Sequence, residues 1–363
     1  MTKMTKKCLM LLVIGCLIFG SVSLLQAGET RVGSHIKLTL FDGSVGKSDG
    51  VSGNDYTGIG FREMILYVSQ ELTEKISVDL QPMWSASSGA TPKFGKEIGE
   101  QKTAAKDVEG EFHGWVKAVV KAVLPQGYEI AAGIVKPRFT WDYGAELFWE
   151  DEYNGSKFAC NNYLGAMHDT GIEVYKSFEL GEVSLPAYLY LLNGGYEFSD
   201  NNKGPVVMLH AEPEVGAVKF LASLATGKWD DNNKYNMTRW AVGAAYTWKE
   251  LSIRSEYAGG IWKNSIAGTG DAKPFGFYAK VFYRFAPWGR AMLHYNVADH
   301  NFNGFFYTAP GGEKYITVTP GLQLYASSSS IILIQYDIAD WKRKDGSNKL
   351  DFNRLTVGWR TTF

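Results

Sequence analysis

The sequence predicts an all-β protein: a transmembrane, antiparallel, up-and-down β-barrel of about sixteen strands, with short turns at one end and long loops at the other. Three observations point there. Apolar and polar residues alternate with a period of two through most of the chain. The connections between alternating runs are long and short by turns. The chain also ends on an aromatic, Phe363, in step with the apolar face of its last run. A strand buried on one face alternates in this way, whereas a helix repeats at three or four residues.

Taken in order, the first element stands outside that pattern. Lys3, Lys6 and Lys7 precede an apolar run from Leu9 to Leu25, the charged and apolar regions of a secretory signal peptide over residues 1–27. Ala27 is the natural cleavage residue. The run only reaches the bottom of the about 17–25 apolar residues that a membrane-spanning helix needs. Val13-Ile14-Gly15-Cys16 loosely resembles a lipoprotein cleavage box, with too little apolar sequence before its cysteine and too much after it. Cys8 and Cys16 fall in this segment, leaving Cys160 alone in residues 28–363. No intrachain disulfide is then possible, and there is no C-x-x-C-H for attached haem, so no cofactor is expected. A formal net charge of −1 gives no footprint for nucleic acid, whose binders are strongly basic.

The alternating runs fall at about 31–41, 58–70, 76–86, 108–123, 128–136, 170–179, 184–193, 206–212, 217–226, 237–249, 251–262, 274–286, 290–300, 314–326, 330–341 and 350–363. "HIKLTLF" (35–41) sets Ile36, Leu38 and Leu40 against His35, Lys37 and Thr39. "ISVDLQPMW" (76–84) and "RAMLHYNV" (290–297) repeat the pattern. "GWVKAVVKAVL" (114–124), the best helical candidate, also alternates. "LPQG" (124–127) and "APWG" (286–289) are short connections, while "DGSVGKSDGVSGNDYTG" (42–58) and "KRKDGSNK" (342–349) are long and polar. A soluble sandwich would also alternate, but its strands run to five or six residues. Runs of ten suit a tilted strand crossing a bilayer. An even strand number, one-sided short turns and aromatics near the strand ends, Trp84, Trp240, Trp248, Tyr283, Phe285 and Trp359 among them, complete the outer-membrane pattern. Closure follows, because lipid offers no hydrogen bonds to an open sheet edge. The expected surroundings are outer-membrane lipid, and the expected location is the bacterial outer membrane.

With the apolar face outward, the polar face lines a lumen. Twelve basic residues fall on it: Lys37, Lys75, Lys117, Lys121, Lys219, Arg239, Arg254, Lys280, Arg284, Arg290, Arg354 and Arg360. Six acidic ones join them: Asp79, Glu129, Glu173, Glu212, Glu256 and Asp337, a formal excess of +6. Low-dielectric walls focus such a field, and rings of Lys and Arg favour anions. The run 58–70 has ambiguous facing and is left out.

The fifth run is followed by the longest non-alternating segment, 136–169, rich in Phe, Trp and Tyr. Long structured loops tend to be functional. As the third long loop of a barrel it is expected to fold inward as a constriction, with Lys136 and Arg138 at its start. Its acidic cluster, Asp142, Glu146, Glu150, Asp151 and Glu152, would then oppose the basic wall.

"FREMILYVSQELTEKISVDLQPMW" (61–84) followed by "YEIAAGIVKPRFTWDYGAE" (128–146) resembles the phosphate-selective porins of the O and P type. In that family a strand, a tight turn and a strand precede a G-x-x-K-P-like start of the third loop. Gly133, Lys136 and Pro137 match it, and Arg138-Phe139 is a looser match. The resemblance implies sixteen strands, a homotrimer, an inward third loop and basic residues along the permeation path. The acidic loop departs from the family where its specificity would lie. The last strand, with Trp359 and Phe363 in register, likewise resembles the C-terminal signal by which the barrel assembly machinery recognises its substrates.

The expected function is a passive diffusion channel, a porin for small hydrophilic solutes with a modest preference for anions. A sleeve around a partner, such as a multihaem cytochrome in a trans-membrane electron conduit, is the alternative. No enzyme is expected: H-E-x-x-H, P-loop and G-x-S-x-G motifs are absent, and the six histidines are scattered.

Overall fold

The computed structural model describes residues 29–45, 54–86, 110–141, 169–194, 204–228, 234–266, 270–300, 313–343 and 349–362. The segment 1–27, the loop acids Asp142, Glu146, Glu150, Asp151 and Glu152, and Phe363 lie outside the described residues.

Eighteen strands join in one sheet. They are β1 (Thr30–Val45), β2 (Asn54–Thr73), β3 (Ile76–Ala86), β4 (Gly110–Val123), β5 (Glu129–Val135) and β6 (Asp169–Leu180). Next come β7 (Val183–Leu192), β8 (Val206–Ala211), β9 (Glu214–Val215), β10 (Val218–Lys228), β11 (Asn236–Trp248) and β12 (Leu251–Ile266). The last are β13 (Gly270–Ala272), β14 (Phe275–Ala286), β15 (Gly289–His300), β16 (Glu313–Tyr325), β17 (Ser330–Arg343) and β18 (Lys349–Thr362). Pairing is antiparallel between chain neighbours. β1 pairs with both β2 and β18, with His35 opposite Thr362, and this closes the sheet into a barrel.

Eighteen strands occupy sixteen wall positions. β9 lies between β7 and β10, as β8 does. β13 and β14 both pair with β12. The two breaks fall at Glu212-Pro213 and Lys273-Pro274. Proline has no N–H to give to the ladder, so each break is a proline inside one wall strand. The bounds of the first two runs also shift. β1 and β2 stay paired as far as Val45 opposite Asn54, so the first long loop shrinks from 42–58 to 46–53. Composition alone read "DGS" as loop, whereas a neighbouring strand in register overrides weak β propensity. Lys75, expected on the inner face, lies in the turn between β2 and β3.

The connections at one end are tight: Glu74–Lys75, Gly181–Glu182, Gly216–Ala217, Lys249–Glu250 and Pro287–Trp288. Between β4 and β5 the chain turns at Pro125–Gly127, where Gln126 and Gly127 take φ of 65° and 76° and the Leu124 N–H donates to the Tyr128 carbonyl at 2.8 Å. Gly133 of β5 also carries a backbone demand. Its φ is 133°, and a Cβ there would stand 2.2 Å from the Ala118 carbonyl oxygen of β4.

The two faces separate as the alternation requires. Val120, Leu209, Leu224, Val242, Leu293 and Ile338 are exposed on the outside. Tyr246, Trp248, Tyr283, Phe285, Trp288 and Trp359 form an exposed aromatic group near the tight-turn end. An apolar band of this extent exceeds what a protein surface presents to water, and aromatics at its edge match a membrane interface. Inside, Val119, Val135, Tyr190, Met208, Leu221, Ala241 and Tyr278 are buried around Phe139. A buried core inside a barrel needs a segment of chain to cover it, and Phe139 comes from the third loop.

Candidate functional site: the inner wall and the start of the third loop

The wall strands place the polar side chains, and register decides which of them meet. On β3, β4 and β5, Lys117 reaches Asp79 at 3.3 Å and Lys121 reaches Glu129 at 2.6 Å. The Ser69 hydroxyl donates to Asp79 at 2.7 Å, which settles the inward face of β2. On β17 and β18, Arg354 donates through Nε and Nη2 to one oxygen of Asp337 at 3.1 and 2.8 Å, and both side chains are buried. Lys219 meets Glu212 at 2.5 Å. Four of the expected pore bases are thus ion-paired.

β12, β14 and β15 are arranged differently. Arg254 stands directly opposite Lys280, and Arg284 directly opposite Arg290. Like charges at opposed positions destabilise a sheet. Aromatic faces are among their neighbours: Arg254 lies over Trp141 at 5.9 Å, Lys280 over Tyr278 at 4.6 Å, Arg290 over Phe282 at 4.5 Å and Arg284 over Tyr325 at 5.5 Å. Arg290 Nε donates to Gln323 Oε1 at 2.5 Å. A cation over a ring face gains some attraction from the ring quadrupole without losing its charge. Lys280 and Arg239 are only 2% exposed, Arg284 is exposed, and Arg360 is half-buried, in register with Lys37. Four wall bases thus have a carboxylate partner, while β12, β14 and β15 bring basic side chains opposite one another.

Residues 136–141 leave β5 and run along the inner wall. Lys136, Phe139 and Thr140 are buried. The Arg138 N–H donates to the Tyr190 hydroxyl of β7 at 3.3 Å, and the Arg138 guanidinium lies over Tyr188 at 5.2 Å. The Phe139 carbonyl accepts from the Ser223 hydroxyl of β10 at 2.6 Å, while Arg239 of β11 lies over its ring at 5.2 Å. The Trp141 N–H donates to Glu256 Oε1 of β12 at 2.7 Å, and the Tyr278 hydroxyl donates to Glu256 Oε2. Gly243 of β11 makes room, since a Cβ there would stand 2.9 Å from the Trp141 ring. Six residues thus touch β7, β10, β11 and β12. Glu256, counted above among the lumen acids, is 1% exposed and serves as an anchor for this segment.

One group of residues escaped the sequence reading. Ser223, His210 and Glu212 form a buried chain, with His210 Nδ1 at 2.7 Å from Ser223 Oγ and Nε2 at 3.0 Å from Glu212 Oε1. His210 and Glu212 are two residues apart on the inner face, which alternation could have shown. Ser223 joins them only through the β8–β10 register. The trio looks like a nucleophile, a base and an orienting acid. However, the serine proton is directed to the Phe139 carbonyl, so the imidazole cannot be taking it.

A closed antiparallel barrel with an apolar outer band and a charged lumen is the fold of bacterial outer-membrane porins. No protein-family model matches the chain, and a comparison with curated proteins finds no match. Among solved structures it is similar to OmpT, an outer membrane protein of Vibrio cholerae in its trimer form: TM-score 0.58, 11% identity, 93% of this chain and 100% of that one. It is similar to the anion-selective porin of Comamonas acidovorans: TM-score 0.60, 14% identity, 92% and 100% covered. It is similar also to the outer membrane channel DcaP of Acinetobacter baumannii: TM-score 0.61, 12% identity, 93% and 98% covered. These likenesses support the porin fold, at a coarser level than the phosphate-selective family.

Proposed function

We propose that the protein is a bacterial outer-membrane diffusion channel for small hydrophilic solutes, with a modest preference for anions and a trimeric assembly. The observation that carries the preference is the two pairs of opposed like charges, Arg254 with Lys280 and Arg284 with Arg290, on neighbouring wall strands. Basic side chains gathered in this way along a low-dielectric wall favour anions in the lumen. Two of the similar structures are an anion-selective porin and an outer membrane channel, and a third is a trimer form. The third loop acts as the constriction in this reading, which residues 136–141 support by lying against the inner wall. A barrel whose interior already holds part of its own chain suits a pore better than a sleeve around a second protein.

Purified protein in planar bilayers tests the reading. Stepwise open conductance is expected, with a reversal potential under a KCl gradient that reports a preference for chloride of a fewfold. A cation preference would mean that the acidic loop governs the pore, and silence with a co-purified haem protein would support the sleeve.

A further inference from the structure

The hydrogen-bond chain that ends on the third loop has one more proton than a neutral histidine supplies. Ser223 Oγ lies 2.6 Å from the Phe139 carbonyl, and a carbonyl only accepts, so the single serine proton is committed there. Ser223 Oγ also lies 2.7 Å from His210 Nδ1, and with its proton committed it can only accept, so Nδ1 must carry a proton. On the other side, Nε2 lies 3.0 Å from Glu212 Oε1. The second oxygen of Glu212 faces the Lys219 ammonium at 2.5 Å, which keeps that carboxyl ionised. A carboxylate only accepts, so Nε2 must also carry a proton. Both contacts are satisfied together only when His210 is an imidazolium. The other groups facing the ring are Tyr188 of β7, with centroids 5.5 Å apart, and Arg138 over that tyrosine.

We propose that His210 is a positioning residue for the constriction loop: its imidazolium form holds the Ser223 hydroxyl on the Phe139 carbonyl, and loss of its proton releases that latch. The neutral ring has one N–H. With the proton kept at Nε2, Nδ1 becomes an acceptor, Ser223 turns its hydroxyl to the ring, and the Phe139 carbonyl loses its donor. With the proton kept at Nδ1, a bare Nε2 faces the Glu212 carboxylate, and the two lone pairs repel. Either way the buried chain loses a hydrogen bond, in a setting where an unsatisfied buried group is costly. The loop start is therefore fixed on the acidic side of the His210 titration and loosened on the alkaline side. Lys219, at the Glu212 end of the relay, is partly exposed.

This proposal rests on the channel reading for its consequence but not for its test. In the folded full-length protein, imidazole nitrogen NMR signals, assigned to His210 by their loss in His210→Gln, should show both nitrogens protonated at low pH. The loss of one proton should broaden or shift the amide signals of residues 138–140 in the same titration. In bilayers the wild type should pass from a quiet, lower conductance to a noisier, higher one across that pH interval. His210→Gln and Ser223→Ala should lose the step, and Ser223→Thr, which keeps the hydroxyl, should retain it. A neutral His210 at the acidic end, or a conductance step that survives in His210→Gln, would overturn the proposal. A silent channel would overturn the functional reading and leave the NMR titration to decide this one.

Discussion

Arg354 and Asp337 show why a charge on a pore wall is not automatically a pore charge. The guanidinium puts two donors on one carboxylate oxygen, and Asp337 also accepts from Thr319 and Gln335. Removing one member of a buried pair leaves the other uncompensated, which costs about 3–5 kcal/mol. Arg354→Met should therefore lower the urea midpoint of the folded barrel clearly, and Arg354→Met with Asp337→Leu should recover most of the loss. If the single and double variants unfold alike, the pair has no such role. Arg284 differs, being exposed beside another arginine. Arg284→Gln should leave the midpoint within about 0.5 kcal/mol of wild type, as surface changes usually do. It should also move the reversal potential towards non-selectivity, whereas Glu150→Gln with Asp151→Asn should move it the other way. An unchanged potential in Arg284→Gln would place the selective charges elsewhere.

At the scale of the element, the third loop and the last strand are the informative pieces. The first six loop residues are held by Tyr190, Ser223 and Glu256, on three different strands. Glu256→Leu removes the acceptor of the Trp141 N–H and the Tyr278 hydroxyl, each then a buried unsatisfied donor costing about 1–3 kcal/mol. The expected result is a folded channel with larger and noisier single-channel conductance. Wild-type conductance would show that Glu256 does not fix the constriction. For β18, Trp359 is exposed on the lipid side, paired with Leu38 and Ile332. If the end of this strand is the recognition element, deleting Phe363 or replacing it with Asp should reduce the heat-modifiable, membrane-inserted form in cells. Wild-type amounts of that form would refute the assignment.

Over the whole molecule, charge is distributed by sector rather than by sum. The chain carries a formal net charge of −1, yet β12, β14 and β15 set basic side chains opposite one another, and on β3 to β5 Lys117 and Lys121 meet Asp79 and Glu129. A sector of this kind acts over a short range. The Debye length falls from about 10 Å at 0.1 M salt to about 3 Å at 1 M. The chloride preference should therefore shrink steadily between these concentrations in reversal-potential measurements at a fixed gradient ratio. A preference that grows with salt would rule out the wall cations as its source.

The sequence by itself determined the wall. Successive strand side chains point to opposite faces because of local backbone geometry, so period-two alternation was enough to assign Leu293 and Trp359 outward and Arg290 and Arg354 inward. The even number of wall positions and the tight turns at one end followed from the same local signal, and only the two proline breaks altered the strand count. Partners were another matter. Which inward residue faces which depends on register, fixed by turns and bulges along two strands at once. Arg254 opposite Lys280 and Asp337 opposite Arg354 therefore had no signature in either strand alone. The path of residues 136–141 is more remote still. Ser223 lies 84 positions from Phe139, and Glu256 lies 115 from Trp141. Local sequence can say that a side chain points into the lumen, but only closure of the barrel and the course of the loop across it decide what that side chain meets.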